Sequence, residues 1–484
     1  MTITIVGLGP GHPDLLTRRA WQTLEPASEV YLRTAQHPGV EALPIRHLKS
    51  FDAWYEEAAD FDALYSRIAE EIIRLGGGGN SVVYAVPGHP LVGEHTVTLI
   101  LERAKAADIP VILVDGLGFI EPTLAVLGID ALDGLQLHDA VDIARMHHPP
   151  LNPDVPALLA QVYSHTVASN VKLTLANQYP DDHEVVLVHG AGTAGASLER
   201  LPLHEIDHSE QINHLTSLYV PPLMAKGSFE YFQEIVAHLR APEGCPWDQK
   251  QTHESLRPYL LEETYEVLEA LDHENTTELA KELGDLLLQI VLHTQIATEA
   301  GEFQMGDVLA HISQKMIRRH PHVWGDVKVR DADHVVDNWQ ENKRKERLAS
   351  GDQPKSALEG IPETLPALAY AATMHDRAAR LGFEWETVEQ VIAKLHEEVA
   401  EVLSADADHR AEELGDVFSV LVNLARWWGL DPESVMRENN QKFSRRFRGV
   451  EALAGDRPLE GMTLAALDDL WNEVKRREKN SAKD

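Results

Sequence analysis

Two pairs of helical segments in this chain carry carboxylates on faces that an amphipathic helix would normally bury. The first pair reads Glu262-Glu263-Thr264-Tyr265-Glu266, then Glu282-Leu283-Gly284-Asp285; the second reads Glu397-Glu398-Val399-Ala400-Glu401, then Glu413-Leu414-Gly415-Asp416. Residues three apart on a helix share a face, so Glu263 points with Glu266 and Glu282 with Asp285. The same spacing joins Glu398 to Glu401 and Glu413 to Asp416. Two such helices packed antiparallel bring four carboxylates into one pocket, a known way to build a metal site inside a helical bundle. Four like charges held close repel strongly without a cation. An all-oxygen donor set favours Mg²⁺ or Mn²⁺ over zinc, and hard cations suit phosphate chemistry. For one copy, a solvated helix face is an equal reading; two copies in matched order argue against it.

The match extends beyond the acids. The first copy continues with Lys315-x-x-Arg318-Arg319 and Trp339-x-x-x-Lys343, the second with Lys442-x-x-Arg445-Arg446 and Trp471-x-x-x-Lys475. The order of the four elements is kept while the gaps differ, as expected of an internal repeat whose loops vary between constant helices. The basic residues make sense as phosphate ligands opposite a metal, although the arginine pairs alone read as surface charge. The tryptophans are either core anchors or platforms for a base. Gly284 and Gly415 weaken their helices by about 1 kcal/mol relative to Ala, which predicts close approach of another helix or a ligand.

The chain of 484 residues is too long for one core. Its first half alternates β-type runs, at residues 3–6, 81–86, 111–114, 171–175 and 184–188, with helical patterns at 53–75 and 94–107. That alternation predicts an α/β domain with a largely parallel sheet, and the glycine run 76–79 reads as a loop. Val220-Pro221-Pro222-Leu223 reads as a linker, after which apolar residues recur at three- and four-residue spacing; Leu283, Leu286, Leu287, Ile290 and Val291 form one such stripe. Prolines 354, 362 and 366 separate two helical halves. The expected domains are 1–220, 221–350 and 351–484.

The formal net charge of −34 argues against non-specific binding to nucleic acid or an anionic membrane. The one cysteine, Cys245, excludes a disulfide framework within the chain and fits a reducing cytoplasm. The N-terminus lacks the pattern of a signal peptide, and no apolar run approaches the roughly 20 residues needed to span a bilayer.

Residues 226–484 resemble the MazG nucleoside triphosphate pyrophosphohydrolases in their tandem form. The resemblance is carried by Gly244-Cys245-Pro246-Trp247-Asp248, Gln251-Thr252-His253, the run from Tyr259 to Glu266, Glu282 to Leu286, Arg318-Arg319-His320-Pro321-His322-Val323, Glu413 to Val417 and Lys442-Phe443-Ser444-Arg445-Arg446-Phe447. It implies two all-α domains, a homodimer, and hydrolysis of nucleoside triphosphates to monophosphate and pyrophosphate in the clearing of non-standard or surplus nucleotides. By the family pattern Glu263, Glu266, Glu282 and Asp285 are metal ligands, with Glu262 a base or outer partner; Glu398, Glu401, Glu413 and Asp416 repeat these roles, with Glu397 beside them. Lys442, Arg446, Trp471 and Lys475 match positions used on phosphates and base, and Lys315, Arg319, Trp339 and Lys343 are their counterparts. His409 departs from the lysine that some members carry. The second repeat is the expected catalytic one, and Cys245 is expected to be structural.

Residues 1–220 resemble the tetrapyrrole methylases, which bind S-adenosylmethionine. Val6-Gly7-Leu8-Gly9-Pro10-Gly11 follows one strand, Val86-Pro87-Gly88-His89-Pro90 another, and Tyr179-Pro180-Asp181-Asp182-His183 precedes a third. Gly7, Gly9, Gly11, Pro87 and Gly88 are the implied cofactor contacts, since glycines after a strand let a ligand approach the backbone. Gly116 to Phe119 falls beside them by order along the chain. His89 replaces the acid common in the family, which bears on methyl transfer. The resemblance of this domain also implies an alternative to the hydrolase, an active methyltransferase whose helical half serves dimerisation or nucleotide sensing.

Overall fold

The computed structural model describes residues 2–58, 60–78, 81–332, 334–335, 338–339, 342, 346 and 356–481. It has two compact units, residues 1–309 and 310–484. An N-terminal α/β region precedes a C-terminal helical one, in agreement with the fold class expected from the sequence.

The first unit opens with a five-stranded sheet in the order β3-β2-β4-β1-β5. Its strands are β1 (Ile3–Gly7), β2 (Val30–Leu32), β3 (Leu48–Ser50), β4 (Val82–Val86) and β5 (Val111–Val114), all paired in parallel. Alternate residues of β1 and β4 enter separate cores: Ile3, Ile5, Val82, Tyr84 and Val86 pack on one face, Val6 and Ala85 on the other. Two-sided burial is what parallel strands with crossover helices require. Gly76 and Gly77 lie inside the helix Phe61–Gly77 and not in a loop, Gly78 caps its end, and Gly79 lies outside the described residues; a Cβ at Gly76 would sit 2.6 Å from Ile3 Cγ1, so the close helix–strand contact there requires glycine.

A second five-stranded sheet follows, in the order β6-β7-β10-β8-β9, with β6 (Gln136–Asp139), β7 (Ala157–Ala160), β8 (Glu184–His189), β9 (Ser197–Pro202) and β10 (Thr216–Val220). Only β6 with β7 is parallel; β10 runs antiparallel to β7 and β8, and β8 to β9. The expectation of a largely parallel sheet thus holds for the first sheet alone. Residues 171–175, expected as a strand, lie in the helix His165–Leu175. Ser164 caps its start, and Val167, Ala168, Val171, Thr174 and Leu175 are its buried face; that helical period outweighs the β propensity of the run.

The helical region begins at Phe229–Arg240, and the proline-rich stretch before it is tied back to the sheet domain. Leu223 N–H donates to Pro153 O at 2.8 Å, and the Asp154 carboxylate accepts from Gly227 N–H (2.8 Å), Ser228 N–H (3.1 Å) and Ser228 Oγ (2.6 Å). Burial pushes the Asp154 carboxyl up, but these donors hold it below its ordinary value. Val236, Leu256, Val291, Leu292 and Met305 form the core of this region. In the second unit, Ile361, Val391, Val422, Leu424, Val450, Ala454 and Val474 are the buried apolar side chains among the described residues.

The predicted stripe splits. Val291 is buried, whereas Leu283, Leu287 and Ile290 are 48, 36 and 43 % exposed. Their repeat counterparts Leu414, Phe418 and Leu421 are 44, 54 and 42 % exposed. Both copies present the same i, i+4, i+7 apolar row outward. Among the described residues, no helix is long and apolar enough to cross a membrane.

Candidate functional site: two carboxylate clusters and their flanking charges

The helix Arg257–Asp272 carries the first E-E-x-x-E run and packs against Thr276–Ala300, which carries Glu282 and Asp285. Val388–Ser404 and Arg410–Trp427 pair in the same way in the second copy. Each hairpin gathers three acids whose ligand atoms lie within 4.8 Å of one another: Glu263, Glu266 and Glu282 in one, Glu398, Glu413 and Asp416 in the other. The expected fourth acid stands outside each triple, Asp285 in the first and Glu401 in the second. Both still act on their clusters. Burial first, and then the charges of Asp285 and Glu266, push the Glu263 carboxyl up. Burial and Glu266 raise Glu282, and burial with a hydrogen bond to Glu398 raises Glu401. Groups that resist ionisation in this way mark a site short of positive charge.

The second cluster holds an internal cation that the sequence reading overlooked. Lys394 Nζ lies 2.8 Å from both Glu397 and Glu398, one helical turn ahead of the acids. Its hydrogen bonds to Glu397 and then Glu398 raise the Lys394 ammonium above its ordinary value. Tyr259 occupies the matching position of the first copy, where its ring packs edge-on against Trp247 at 5.9 Å. Glu398 is 5 % exposed, while Glu262 and Glu397 are exposed at the rims. A Cβ at Gly284 or Gly415 would meet nothing within 4 Å. The expected close approach of a helix is absent there among the described residues, and the space beside the acids is open.

The flanking basic residues form their own constellation, again twice. Glu346 accepts from Arg318 Nε (2.7 Å) and Arg319 Nη2 (2.7 Å), and Arg319 Cζ lies 5.0 Å from the Trp339 ring centroid. In the second copy Glu478 accepts from Arg445 Nε (3.2 Å) and Arg446 Nε (2.7 Å), with Arg446 Cζ 5.9 Å from the Trp471 centroid and Phe443 beside that ring at 5.2 Å. The arginine pairs are therefore neither free surface charge nor unspent anion ligands. Arg319 and then Arg318 hold the Glu346 carboxyl at about 2. Sequence could have found both glutamates, since each follows its repeat's tryptophan at the same spacing. Lys315 and Lys475 are half-buried and Lys442 is exposed. No hydrogen bond or ion pair joins Lys442, Arg446 or Lys475 to the second cluster among the described residues. Lys343 lies outside the described residues.

The G-C-P-W-D segment is held against the helices on either side of it. Arg240 forks onto Glu299 at 2.9 and 2.7 Å and also donates to Asp248 O and Gln251 O, fastening the loop to the long helix.

In the α/β domain the two glycine motifs meet. Gly9 N–H donates to Gly88 O at 3.2 Å and Gly88 N–H to Gly9 O at 2.8 Å, with φ of +77° and +64° that glycine adopts without strain. A Cβ on Gly7 would lie 2.6 Å from Gly88 O and 2.7 Å from Gly116 N, so the ends of β1, β4 and β5 close on one another through glycine. His89 Nδ1 accepts from Leu91 N–H (3.1 Å), and its Nε2 lies 3.9 Å from Asp115.

Comparison with known proteins agrees with both halves. The pattern of the "MazG nucleotide pyrophosphohydrolase domain" matches residues 251–324 and 386–450, and that of the "Tetrapyrrole (Corrin/Porphyrin) Methylases" matches residues 2–207. "Uncharacterized protein YabN" of Bacillus subtilis (strain 168) is 42 % identical, with 99 % of each chain covered. "Nucleoside triphosphate pyrophosphohydrolase" of Escherichia coli (strain K12) is 43 % identical over 50 % of this chain and 95 % of that protein. "Nucleoside triphosphate pyrophosphohydrolase/pyrophosphatase MazG" of Thermotoga maritima is 41 % identical over 51 % and 95 %. A solved uroporphyrin-III-C-methyltransferase from Thermus thermophilus superposes on 45 % of this chain and 93 % of its own, at 22 % identity and a TM-score of 0.37. With two MazG domains on one chain and relatives matched over nearly their whole length, the protein belongs to the MazG nucleotide pyrophosphohydrolase family, in a form that carries an N-terminal tetrapyrrole methylase domain.

Proposed function

We propose that this chain hydrolyses nucleoside triphosphates to the monophosphate and pyrophosphate, dependent on Mg²⁺ or Mn²⁺, as a step in clearing unwanted nucleotides in the cytoplasm. The observation that carries this reading is the three-carboxylate cluster within each MazG match. The donor set fits a hard divalent cation: oxygen ligands alone, carboxyls pushed up by burial and then by one another's charge, and in one copy an ammonium already drawn in. When bound, such a cation neutralises phosphate charge and polarises the bond to phosphorus.

Glu263, Glu266 and Glu282, with Asp285 behind them, would hold it in the first copy; Glu398, Glu413 and Asp416, with Glu401, would do so in the second. Glu397 and Glu262 stand beside the clusters as bases that take the proton from the attacking water while pyrophosphate leaves. Lys394, Lys442 and Lys475 are the lysines suited to phosphate oxygens in the second copy, where we place turnover. Trp471, with Arg446 held against Glu478, suits the base end. Lys315, Arg319, Trp339 and Lys343 are the counterparts in the first copy.

We further read residues 1–220, 221–350 and 351–484 as the three domains. The exposed rows Leu283/Leu287/Ile290 and Leu414/Phe418/Leu421 support a homodimer through the helical domains. Gly7, Gly9, Gly11, Pro87 and Gly88 are the residues we assign to S-adenosylmethionine; the meeting of the two glycine motifs at the ends of β1 and β4 supports that reading.

Incubation with a panel of nucleoside triphosphates and Mg²⁺ tests the hydrolase: pyrophosphate is the expected product, and orthophosphate alone overturns the assignment. Glu398→Gln with Glu401→Gln abolishes turnover if the second copy carries it; full activity moves the chemistry to Glu263 and Glu266. Calorimetric titration with S-adenosylmethionine tests the cradle, and no heat at millimolar ligand removes the cofactor from the proposal.

A further inference from the structure

The methylase-like domain buries a charged pair that none of its glycine motifs explains. Arg33 follows β2 and Glu94 follows the loop after β4, at the carboxyl ends of neighbouring parallel strands; Arg33 N–H donates to Ala85 O at 3.0 Å. Arg33 Nε lies 3.2 Å from Glu94 Oε1, with the two side chains 23 and 4 % exposed. Two charges removed from water in this way lose more than they regain unless their remaining donors and acceptors are satisfied. Here they are not. Arg33 Nε and Glu94 Oε2 are buried without a well-aligned hydrogen-bond partner, and the remaining described bond of the guanidinium is a long one, 3.5 Å, to the Tyr55 hydroxyl. Glu94 is the residue that precedes the helix His95–Ala106, yet its carboxylate makes no cap hydrogen bond to that helix. Burial pushes its carboxyl up to about 7, against the pull of Arg33 and the Thr96 hydroxyl. Such a group retains an acceptor that nothing in the chain fully uses.

The surroundings make this a place to bind something. The carboxyl edge of a parallel sheet is where open α/β sheets take ligands. The segment after Arg33 is fastened to the first glycine motif: His37 Nε2 pairs with Gly9 O at 2.9 Å, its Nδ1 accepts from Gly39 N–H at 3.3 Å, and a Cβ on Gly39 would lie 2.6 Å from Gly11 O. Asp52 holds the same segment from the other side through Thr34 Oγ1 and Ala35 N–H, at 2.5 and 2.8 Å. Arg33 is thus presented on a braced backbone beside the glycine loops. Tyr55 and Tyr65, 6.4 Å apart, and His95, 5.9 Å from Tyr65, supply aromatic walls.

We propose that Arg33 and Glu94 form a recognition subsite of the methylase-like domain for a ligand bearing a carboxylate or phosphate group. The planar guanidinium fork matches either oxyanion in bidentate fashion. Glu94 holds the fork in place through Oε1, 3.2 Å from Arg33 Nε. The subsite is separate from the glycine cradle and independent of the chemistry of the helical half.

Hydrogen–deuterium exchange on the full chain tests this, with a chelator present so that the helical half holds no divalent cation. The probes are succinate and inorganic phosphate, added separately at millimolar concentration. The expected result is slowed exchange at residues 33–39 and 88–97 with one of the two, which also identifies the group bound, and loss of that protection in Arg33→Gln. Glu94→Gln with Arg33→Gln removes the pair without leaving an unpaired buried charge and serves if the single variant does not fold. No protection of these segments by either probe, or equal protection in the variants, overturns the proposal.

Discussion

Lys394→Met separates the electrostatics of the second cluster from its ligands. Methionine keeps an unbranched stem and removes only the ammonium that lies 2.8 Å from Glu397 and Glu398. A cation held by Glu398 at about 2.1 Å would stand roughly 5 Å from that ammonium. Repulsion between single and double charges at that distance takes its lowest value in a water-like dielectric and a larger one in any lower dielectric. The Lys394 side chain is 30 % exposed, so that lowest value is the appropriate one. It corresponds to roughly 15-fold in a dissociation constant. Titration with Mn²⁺ by paramagnetic resonance, in a Glu263→Gln/Glu266→Gln background that leaves only the second cluster, should show binding tightened by that order. Turnover of nucleoside triphosphate in the same variant should fall, because a phosphate partner is lost. Unchanged or weakened Mn²⁺ binding would refute the reasoning, since it would mean that the ammonium does not compete with the cation.

The first cluster should be sensitive to acid in a different way. Glu263 and Glu282 are both held above the ordinary glutamate value of 4.5, so protons compete with the cation at higher pH than at isolated carboxylates. Metal-free protein should gain stability from these groups as pH falls below their raised values and lose it as pH rises through them, and added Mg²⁺ should reverse that trend; melting curves with and without chelator measure it. Glu346→Gln leaves the Arg319 guanidinium, whose side chain is 10 % exposed, without its carboxylate. The cost is about 2–3 kcal/mol after allowance for the partial exposure of Glu346, a fall of roughly 5–10 °C in melting temperature. In the parent protein the same carboxylate stabilises above its ordinary value of 4.5, and that contribution disappears as pH falls towards about 2. Leu287→Glu with Phe418→Glu places charge in both exposed rows; sedimentation should show the mass halved, and an unchanged mass removes these rows from the interface.

Much of the helical half could be read from spacing. Carboxylates three apart on one helix must share a face, so the pairing of Glu263 with Glu266 and Glu413 with Asp416 followed from the helical period. The arginine and tryptophan partners came with the repeat. The α/β half was less legible. Short edge strands such as β3 and β6 carry little pattern of their own, and residues 171–175 combine β-branched composition with a helical burial period. The antiparallel pairing of β10 has no local signal at all, because a strand's direction in a sheet depends on the path of the chain between strands. The buried Arg33–Glu94 pair was equally silent, since two charged residues 61 positions apart do not announce contact.

The order of charges along each repeat, determined by the sequence itself, is enough to place each pair of acids on one face of its helix, because the 3.6-residue period brings residues three apart together. Tertiary structure alone decided which three acids of each four converge: Asp285 falls outside one triple and Glu401 outside the other. It also decided that Lys394 reaches one cluster while Tyr259 turns to Trp247 in the other, and that Glu346 and Glu478 neutralise the arginine pairs. The physical reason is the same in each case. Helical period sets the face on which a side chain stands, whereas the group it touches depends on how separate helices pack and on which rotamers that packing allows.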